Sequence, residues 1–269
     1  MMMKNAGLVP SLLARIDWYP WATGIGLFVV WEVVCRVFKV PTYLLPPPSK
    51  AFAAIAEFWP AITMHASYTL LATVIGFAAA TVFGLVLGVI VGAFPKVYRA
   101  LNPILIGFNS IPKVAVVPVL VLWFGIGTIP AVLTAFLVAF FPIVVNVAIG
   151  IATIEPELID LLRSLGSSRL DIVRKVGIPR SMPYFFAALK IAITLAFVGS
   201  VISETVASNY GIGYLMLSAS SSFNVPLVFA GLLVIAFLGV AMYAIAALVE
   251  SRFTGWATRG QAAFTGSQG

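Results

Sequence analysis

Long apolar runs separated by short polar turns dominate this chain, and they predict a protein built of membrane-spanning helices. A helix needs about 20 apolar residues to cross a hydrocarbon core that is about 30 Å thick. Six runs are long enough, at residues 18–38, 67–93, 101–124, 129–151, 184–207 and 226–249. We expect the third to be kinked or broken, because it contains several prolines. The pattern therefore predicts an all-α integral membrane protein with six transmembrane helices.

One compact charged segment, residues 154–183, interrupts this pattern and holds four of the nine acids and five of the sixteen bases. Pro156 suits the first position of a helix, and Gly166 suits the left-handed residue that ends one. Ser167 or Ser168 can cap a second short helix, which we expect to end at Gly177. Two capped amphipathic helices favour a docking surface, and a solvated helical loop is the alternative.

Small residues repeat every four positions along the second predicted span. They lie on one helix face, where they let another helix backbone approach closely. The glycines of this repeat are Gly76, Gly84, Gly88 and Gly92, with Ala80 between the first two. We interpret the repeat as a packing face, although glycine is also common in membrane helices in general.

The chain divides into three parts on this pattern. Residues 1–64 hold an N-terminal tail, the first span and a proline-rich outer loop, and residues 65–250 form the core transmembrane domain with the charged segment. Residues 251–269 form a C-terminal tail. Most basic residues fall on the side that carries both tails and the charged segment, and the positive-inside rule makes that side cytoplasmic.

Composition supports a membrane protein and narrows its partners. Hydrophobic residues make up 61% of the chain, charged residues make up 9%, and the mean hydropathy is +1.08. No soluble domain of this size has such a composition. The net charge of +7 could suggest nucleic acid, but the cytoplasmic bias of the basic residues explains most of it. We therefore expect the lipid bilayer, and no nucleic acid, as a partner.

The sequence lacks patterns of catalytic and metal-binding residues. Its single cysteine, Cys35, excludes an internal disulfide and a cysteine metal site, and its single histidine, His65, has no partner motif. We interpret His65 as structural. The sequence has no GxxxxGK[ST] loop, which argues against ATP binding in the P-loop manner. We expect no enzyme activity, no metal and no cofactor in this chain.

A few polar side chains lie inside the predicted spans. Such groups are costly at membrane depth and are candidates for a translocation pathway. The candidates are Asn109, Ser110, Lys113, Asn146, Ser203 and Glu204. Two of them have an alternative explanation, because the long Lys113 stem can reach the membrane interface and Glu204 can lie at the outer interface.

The charged segment also carries a recognisable motif. The motif consists of Glu-Ala-Ala, three residues, Gly, nine residues, and then Ile-x-Leu-Pro. In this chain Asp160-Leu161-Leu162 occupies the position of Glu-Ala-Ala. The matching positions are Gly166, Val176, Ile178 and Pro179. The segment resembles the cytoplasmic loop of permease subunits of bacterial ATP-binding-cassette (ABC) importers. The two leucines depart from the alanines of that family.

Further stretches resemble the nitrate, sulfonate and taurine branch of this family. They are LLPPPSK at 44–50, His65 with Thr69-Leu70, IPKVAVVP at 111–118, LWFGIG at 122–127, FFPIVVN at 140–146, and Glu204 followed by GIGYL at 211–215. The set covers most of the chain but does not specify the substrate, because similar members also carry thiamine-type pyrimidine precursors or aromatic acids.

The resemblance implies that the charged segment is a coupling loop that docks into a groove of an ATPase subunit. The implied docking residues are Glu157, Asp160, Leu161, Leu162, Gly166, Ser167, Ser168, Val176, Ile178 and Pro179. It also implies a second permease subunit, most simply an identical copy, two cytoplasmic subunits that bind ATP and Mg, and an external substrate-binding protein. The expected location is the bacterial inner membrane, with both termini cytoplasmic.

The function implied is import of a small solute, an anion such as nitrate, a sulfonate or taurine in the first instance. A pyrimidine precursor or an aromatic acid stays open as the substrate. A self-contained secondary transporter is a different hypothesis, which usually comes with internal repeats and a coupling-ion site near the midplane. The sequence shows no repeat and few buried acids, which argues against it.

Overall fold

The computed structural model describes residues 18–265, and every regular element within this range is helical. In chain order the elements are α1 (Trp18–Val37), α2 (Pro48–Glu57), α3 (Trp59–Ala93), α4 (Pro95–Ser110), α5 (Lys113–Phe124), α6 (Thr128–Ala152), α7 (Pro156–Ser164), α8 (Arg169–Ile172), a π-helical turn (Val173–Gly177), α9 (Ile178–Ala207), α10 (Ile212–Ser221) and α11 (Val225–Thr265). The predicted all-α class is confirmed for the described residues.

Four helical stretches in the described range are long and apolar enough to cross a membrane. They are Trp59–Ala93, Thr128–Ala152, Arg169–Ser221 and Val225–Phe253. A fifth span is possible if the bent pair α4 and α5 is counted as one. The first predicted span is present as α1 but is not among these stretches, so the predicted count of six spans is not confirmed.

The predicted third span is broken rather than continuous. Its two halves, α4 and α5, are bent by 88° at Ile111 and Pro112, which both have extended backbone conformations. Proline disfavours a helical conformation of the residue before it and has no N–H to donate, so a helix readily ends at this pair.

The core lies where α3, α6 and α9 pack side by side. A Cβ on Gly76 would lie 2.6 Å from the carbonyl oxygen of Val132, and a Cβ on Gly88 would lie 2.7 Å from the Cβ of Val147. Gly84 and Gly92 approach α6 in the same way. We call these four glycines of α3 the glycine seam. It lets the backbones of α3 and α6 approach more closely than any side chain would allow.

A second layer of helices covers one side of this core. Ile212 and Leu215 of α10 are buried against Leu227 and Ala230 of α11, and Ala54 of α2 belongs to the same apolar cluster. Because α10 also packs against α3 and α9, it joins the second layer to the core.

The second helix of the charged segment does not end where the sequence predicts. Gly177 has φ −62° and ψ −53°, which is helical, and the chain continues from α8 through the π-helical turn into α9. Pro179 lies in the first turn of α9. A regular α turn would place its ring against the carbonyl of the residue four positions earlier, and the wider π turn relieves that clash. The segment is therefore continuous with a long apolar helix.

Candidate functional site

The turn between α7 and α8 is built on Gly166. Its φ is +82°, which confirms the predicted left-handed conformation. The N–H of Gly166 donates to the carbonyl of Arg163 at 2.9 Å, and the N–H of Ser167 donates to the carbonyl of Leu162 at 2.9 Å. This pair of bonds is a Schellman motif, which satisfies carbonyls that the end of α7 leaves free.

Ser168, one of the two serines predicted as the cap, starts the next helix. Its Oγ accepts a hydrogen bond from the N–H of Asp171 at 3.2 Å and also contacts the Asp171 carboxylate. Lys175 lies one turn further on, with its Nζ 3.8 Å from the same carboxylate. These contacts are exposed, so they set the start of the helix more than they add stability.

Two long-range contacts fix the charged segment to the spans. The guanidinium of Arg180, in the first turn of α9, donates two hydrogen bonds of 2.6 and 2.7 Å to the Glu155 carboxylate just before α7. These bonds hold the pKa of Glu155 below its ordinary range. The guanidinium of Arg169 lies 5.3 Å from the centre of the Phe94 ring at the end of α3, a cation–π distance.

Apolar side chains are exposed on both sides of the Gly166 turn. Leu161 is 57% exposed, Leu165 is 74% exposed and Leu170 is 75% exposed. Of the predicted docking residues, Glu157, Asp160, Leu161, Gly166, Ser168 and Pro179 are exposed, and Leu162, Ser167, Val176 and Ile178 are half-buried. The carboxylate of Asp160 lies 3.4 Å from the guanidinium of Arg163. The arrangement is a rigid surface that mixes charges with uncovered leucines.

The predicted pathway residues lie on four helices, α4, α5, α6 and α9. Asn109, Ser110 and Lys113 lie at the break between α4 and α5, where the Lys113 ammonium donates to the carbonyl and the side-chain oxygen of Asn109 at 2.5 and 3.0 Å. A cation on the last carbonyls of a helix is favourable, so Lys113 also has a structural role as the C-terminal cap of α4. Ser110 donates to the carbonyl of Ile106 within α4.

The remaining pathway candidates lie in α6 and α9. The side-chain amide of Asn146 donates to the carbonyl of Pro142 in its own helix at 2.8 Å. Ser203 is buried, and its hydroxyl has no hydrogen-bond partner among the described residues. Glu204 is also buried, being 3% exposed, and its carboxylate accepts from the Thr69 hydroxyl at 2.9 Å and from the N–H of Gly213 at 3.1 Å. These bonds explain how Glu204 is accommodated without invoking a pathway.

A polar cluster around Glu204 was not predicted from the sequence. We define it as His65, Thr69, Glu204 and the N–H groups of residues 211–213. Thr69 accepts from the N–H of Ile212 at 2.9 Å, and Nδ1 of His65 accepts from the N–H of Gly211 at 3.1 Å. A signal was present, because His65, Thr69 and Thr73 recur every four residues of one helix. No group of three His, Cys, Asp or Glu in the described range could hold a metal ion.

Comparisons with known proteins match most of the chain. The riboflavin transport system permease protein RibX of Chloroflexus aurantiacus is 33% identical over 252 residues, covering 91% of this chain and 93% of that protein. The taurine transport system permease protein TauC of Escherichia coli is 27% identical over 241 residues, covering 86% of each. A chain in the inward-facing structure of the MetNI methionine ABC transporter has a TM-score of 0.64 at 22% identity, and the alignment covers 74% of this chain and 98% of that one. This last match shows a shared fold.

A family match covers α4 to α10, including the charged segment, together with parts of α3 and α11. It extends over residues 80–255, which are 176 of the 269 residues. The resemblance to permease subunits of ABC importers that the charged segment indicated is thereby confirmed. The chain belongs to the family of inner membrane components of binding-protein-dependent transport systems.

Proposed function

We propose that two copies of this chain form the transmembrane pathway of an ATP-driven importer, with the charged segment as the docking site for the ATPase subunits. The observation that carries this proposal is the exposure of Leu161, Leu165 and Leu170 on a turn that ion pairs and a cation–π contact fix in place. Exposed leucines are costly in water, and a rigid apolar surface is what a partner groove would bind. ATP and Mg bind the partner subunit.

A movement of the docked ATPase would reach the membrane through α9. The helix from Arg169 through the π-helical turn to Ala207 has no flexible link, so the docking surface and the span move together. The Glu155–Arg180 pair links α7 to the same helix. The glycine seam then transmits the movement of α6 to α3, since packed helices shift as units.

The orientation follows from charge. Arg163, Arg169, Arg174 and Lys175 lie at one end of the long helices, and Arg36, Lys39 and Lys50 are the basic residues of the segments predicted on the opposite side. Under the positive-inside rule the charged segment is cytoplasmic, as are both termini of a six-span chain. The connection between α10 and α11 then faces the external binding protein.

A small solute with an anionic group is the substrate class that we favour. The relative that transports taurine, which carries a sulfonate, supports it, and Lys113 supplies a positive charge at the break between α4 and α5. The relative that transports riboflavin supports a second candidate, a larger heteroaromatic solute. Titrating the cognate binding protein with nitrate, sulfonates, pyrimidines and aromatic acids distinguishes these classes without depending on the permease.

The docking role is tested with Leu165→Asp in the assembled transporter. A charge placed on the exposed leucine should leave membrane insertion unchanged but greatly reduce co-purification of the ATPase and uptake into proteoliposomes. Phe223→Asp is the matched control for co-purification of the ATPase, because Phe223 is 84% exposed and lies between α10 and α11, away from the charged segment. Wild-type ATPase binding by Leu165→Asp would show that the segment is an ordinary solvated loop.

A further inference from the structure

The start of α10 is held by side chains of two other helices. The N–H of Gly211 donates to His65 and the N–H of Ile212 donates to Thr69, both on α3. The N–H of Gly213 donates to Glu204 on α9. The first N–H groups of a helix have no partner inside it, and α10 has no side-chain cap of its own. Three such groups in succession are therefore satisfied from outside the helix.

Thr69 connects the two halves of this arrangement. Its hydroxyl donates to the Glu204 carboxylate at 2.9 Å and accepts from the N–H of Ile212 at 2.9 Å. A competing bond to the carbonyl of His65 is longer, at 3.3 Å. The three acceptors are in place only while α3 and α9 keep their present positions along each other, because His65 and Thr69 belong to one helix and Glu204 belongs to the other.

The backbone of α10 approaches α9 so closely that glycine is required at two positions. Gly211 has φ +102°, and a Cβ there would overlap the Glu204 carboxyl group. A Cβ on Gly213 would lie 2.5 Å from the carbonyl oxygen of Val201. The opposite face of α10 is buried against α11 through Leu215 and Ala219. Movement of its start is therefore passed on to α11.

We propose that His65, Thr69 and Glu204 are positioning residues that act together as a detachable cap for α10. The cap is closed when α3 and α9 have the relative positions seen here. It opens when the two helices shift along each other during transport. Opening leaves three buried N–H groups without partners, so α10 and the attached α11 must shift with that movement. In this arrangement Glu204 serves as a hydrogen-bond acceptor and neither as a charge nor as a substrate ligand. The proposal depends on this geometry and on no particular substrate or ATPase contact.

Variants that keep or remove the acceptors test this assignment. Thr69→Ser keeps the hydroxyl and Glu204→Gln keeps a carbonyl oxygen, so both should retain uptake within about twofold of wild type. Thr69→Val and Glu204→Leu remove the acceptors and should lower uptake about tenfold or more, with normal co-purification of the ATPase. Equal loss of uptake in Glu204→Gln and Glu204→Leu would overturn the proposal, because the charge of Glu204 would then be the property that matters.

The position of α10 is measured independently of transport. A spin label at exposed Ser220 of α10, in a Cys35→Ser background, reports mobility in the full complex in nanodiscs. We expect a more mobile spectrum in Thr69→Val and an unchanged one in Thr69→Ser, whereas a label at Gly107 of α4, where a Cβ meets nothing within 4 Å, should respond to neither. If Thr69→Val fails to insert, His65→Leu removes a single acceptor and serves in its place. An unchanged Ser220 spectrum in the acceptor-free variant refutes the cap, even if the importer function stands.

Discussion

The glycine seam and the Gly166 turn use the same residue for opposite reasons. At Gly88 the backbone is helical and the space is full, because a Cβ would lie 2.7 Å from Val147. At Gly166 the space is empty, since a Cβ would meet nothing within 4 Å, but φ is +82°. The seam needs the absence of a side chain, and the turn needs freedom of the backbone. Substitutions in the two regions should therefore fail in different ways.

The two regions also differ in what surrounds them. The seam lies among buried apolar residues of α3 and α6. The charged segment exposes its leucines and most of its charges, and ion pairs and turn hydrogen bonds hold it. A buried apolar contact contributes to folding directly, whereas an exposed surface contributes to folding little and to binding a great deal. Substitutions in the seam should therefore affect folding most, and substitutions in the charged segment should affect binding most.

The largest effect is expected from Gly88→Leu or Gly84→Leu. Either side chain would have to push α3 and α6 apart, and overpacking of this kind costs roughly 1–3 kcal/mol or more. We expect a large drop in the yield of folded, monodisperse protein in detergent. Gly107→Leu is the matched control, because a Cβ on Gly107 of α4 meets nothing within 4 Å. Normal yield and uptake by Gly88→Leu would mean that the seam does not hold the core together.

A smaller effect on folding, but a large effect on function, is expected from Gly166→Val. A side chain in the left-handed region costs about 1–2 kcal/mol, which the rest of the fold can absorb. The strain should change the angle between α7 and α8, so that the protein reaches the membrane at its normal level but co-purifies poorly with the ATPase and loses uptake. Gly177→Ala is the control, because Gly177 is helical and the nearest atom to its Cβ would be 3.4 Å away.

Asp160→Lys isolates the charge of the docking surface from its shape. Asp160 is exposed and pairs weakly with Arg163 at 3.4 Å, so its reversal should not affect folding. We expect the same pattern as for Gly166→Val, with uptake lost and membrane level unchanged. Full uptake by both variants, assayed with binding protein present, would contradict the docking role.

Local features of the sequence were sufficient to predict parts of this fold. Gly166 could be recognised as a turn because a helix stripe ended directly before it. The prolines of the third span indicated a kink or break, although the sequence did not single out Pro112. Both features depend on residues that are neighbours in the sequence. The continuation of α8 into α9 was not predicted, because whether Gly177 ends a helix depends on its φ and not on its being glycine.

Contacts between distant residues could not be predicted in the same way. Glu155 and Arg180 are 25 residues apart, and Thr69 and Glu204 are 135 apart. Nothing in either neighbourhood specifies the partner, since only the packing of α3, α6 and α9 decides which side chains meet. For that reason the sequence shows Glu204 only as an isolated acid in a membrane helix. Its role as a buried hydrogen-bond acceptor is visible only in the folded structure.

The smallest effect is expected from Glu155→Gln, which breaks the ion pair but leaves the turn and the exposed leucines in place. Because the Arg180 hydrogen bonds lower the pKa of Glu155, its contribution to stability is fully present above the ordinary glutamate range. That contribution is lost only as the pH falls through the lowered value. Wild type should therefore be slightly more stable to heat than Glu155→Gln at neutral pH, and the difference should vanish in strong acid.

Glu157→Gln is the control that separates this pair from a general effect of removing an acid. Glu157 lies two residues away in the first turn of α7 and is exposed, but no ion pair to it occurs among the described residues. In the permease subunit without the ATPase, its substitution should change the melting temperature in detergent less than Glu155→Gln does at neutral pH. If the two glutamine variants behave alike, the Glu155–Arg180 contact does not attach α7 to α9. The glycine seam and the π-helical turn would then have to position the docking surface without it.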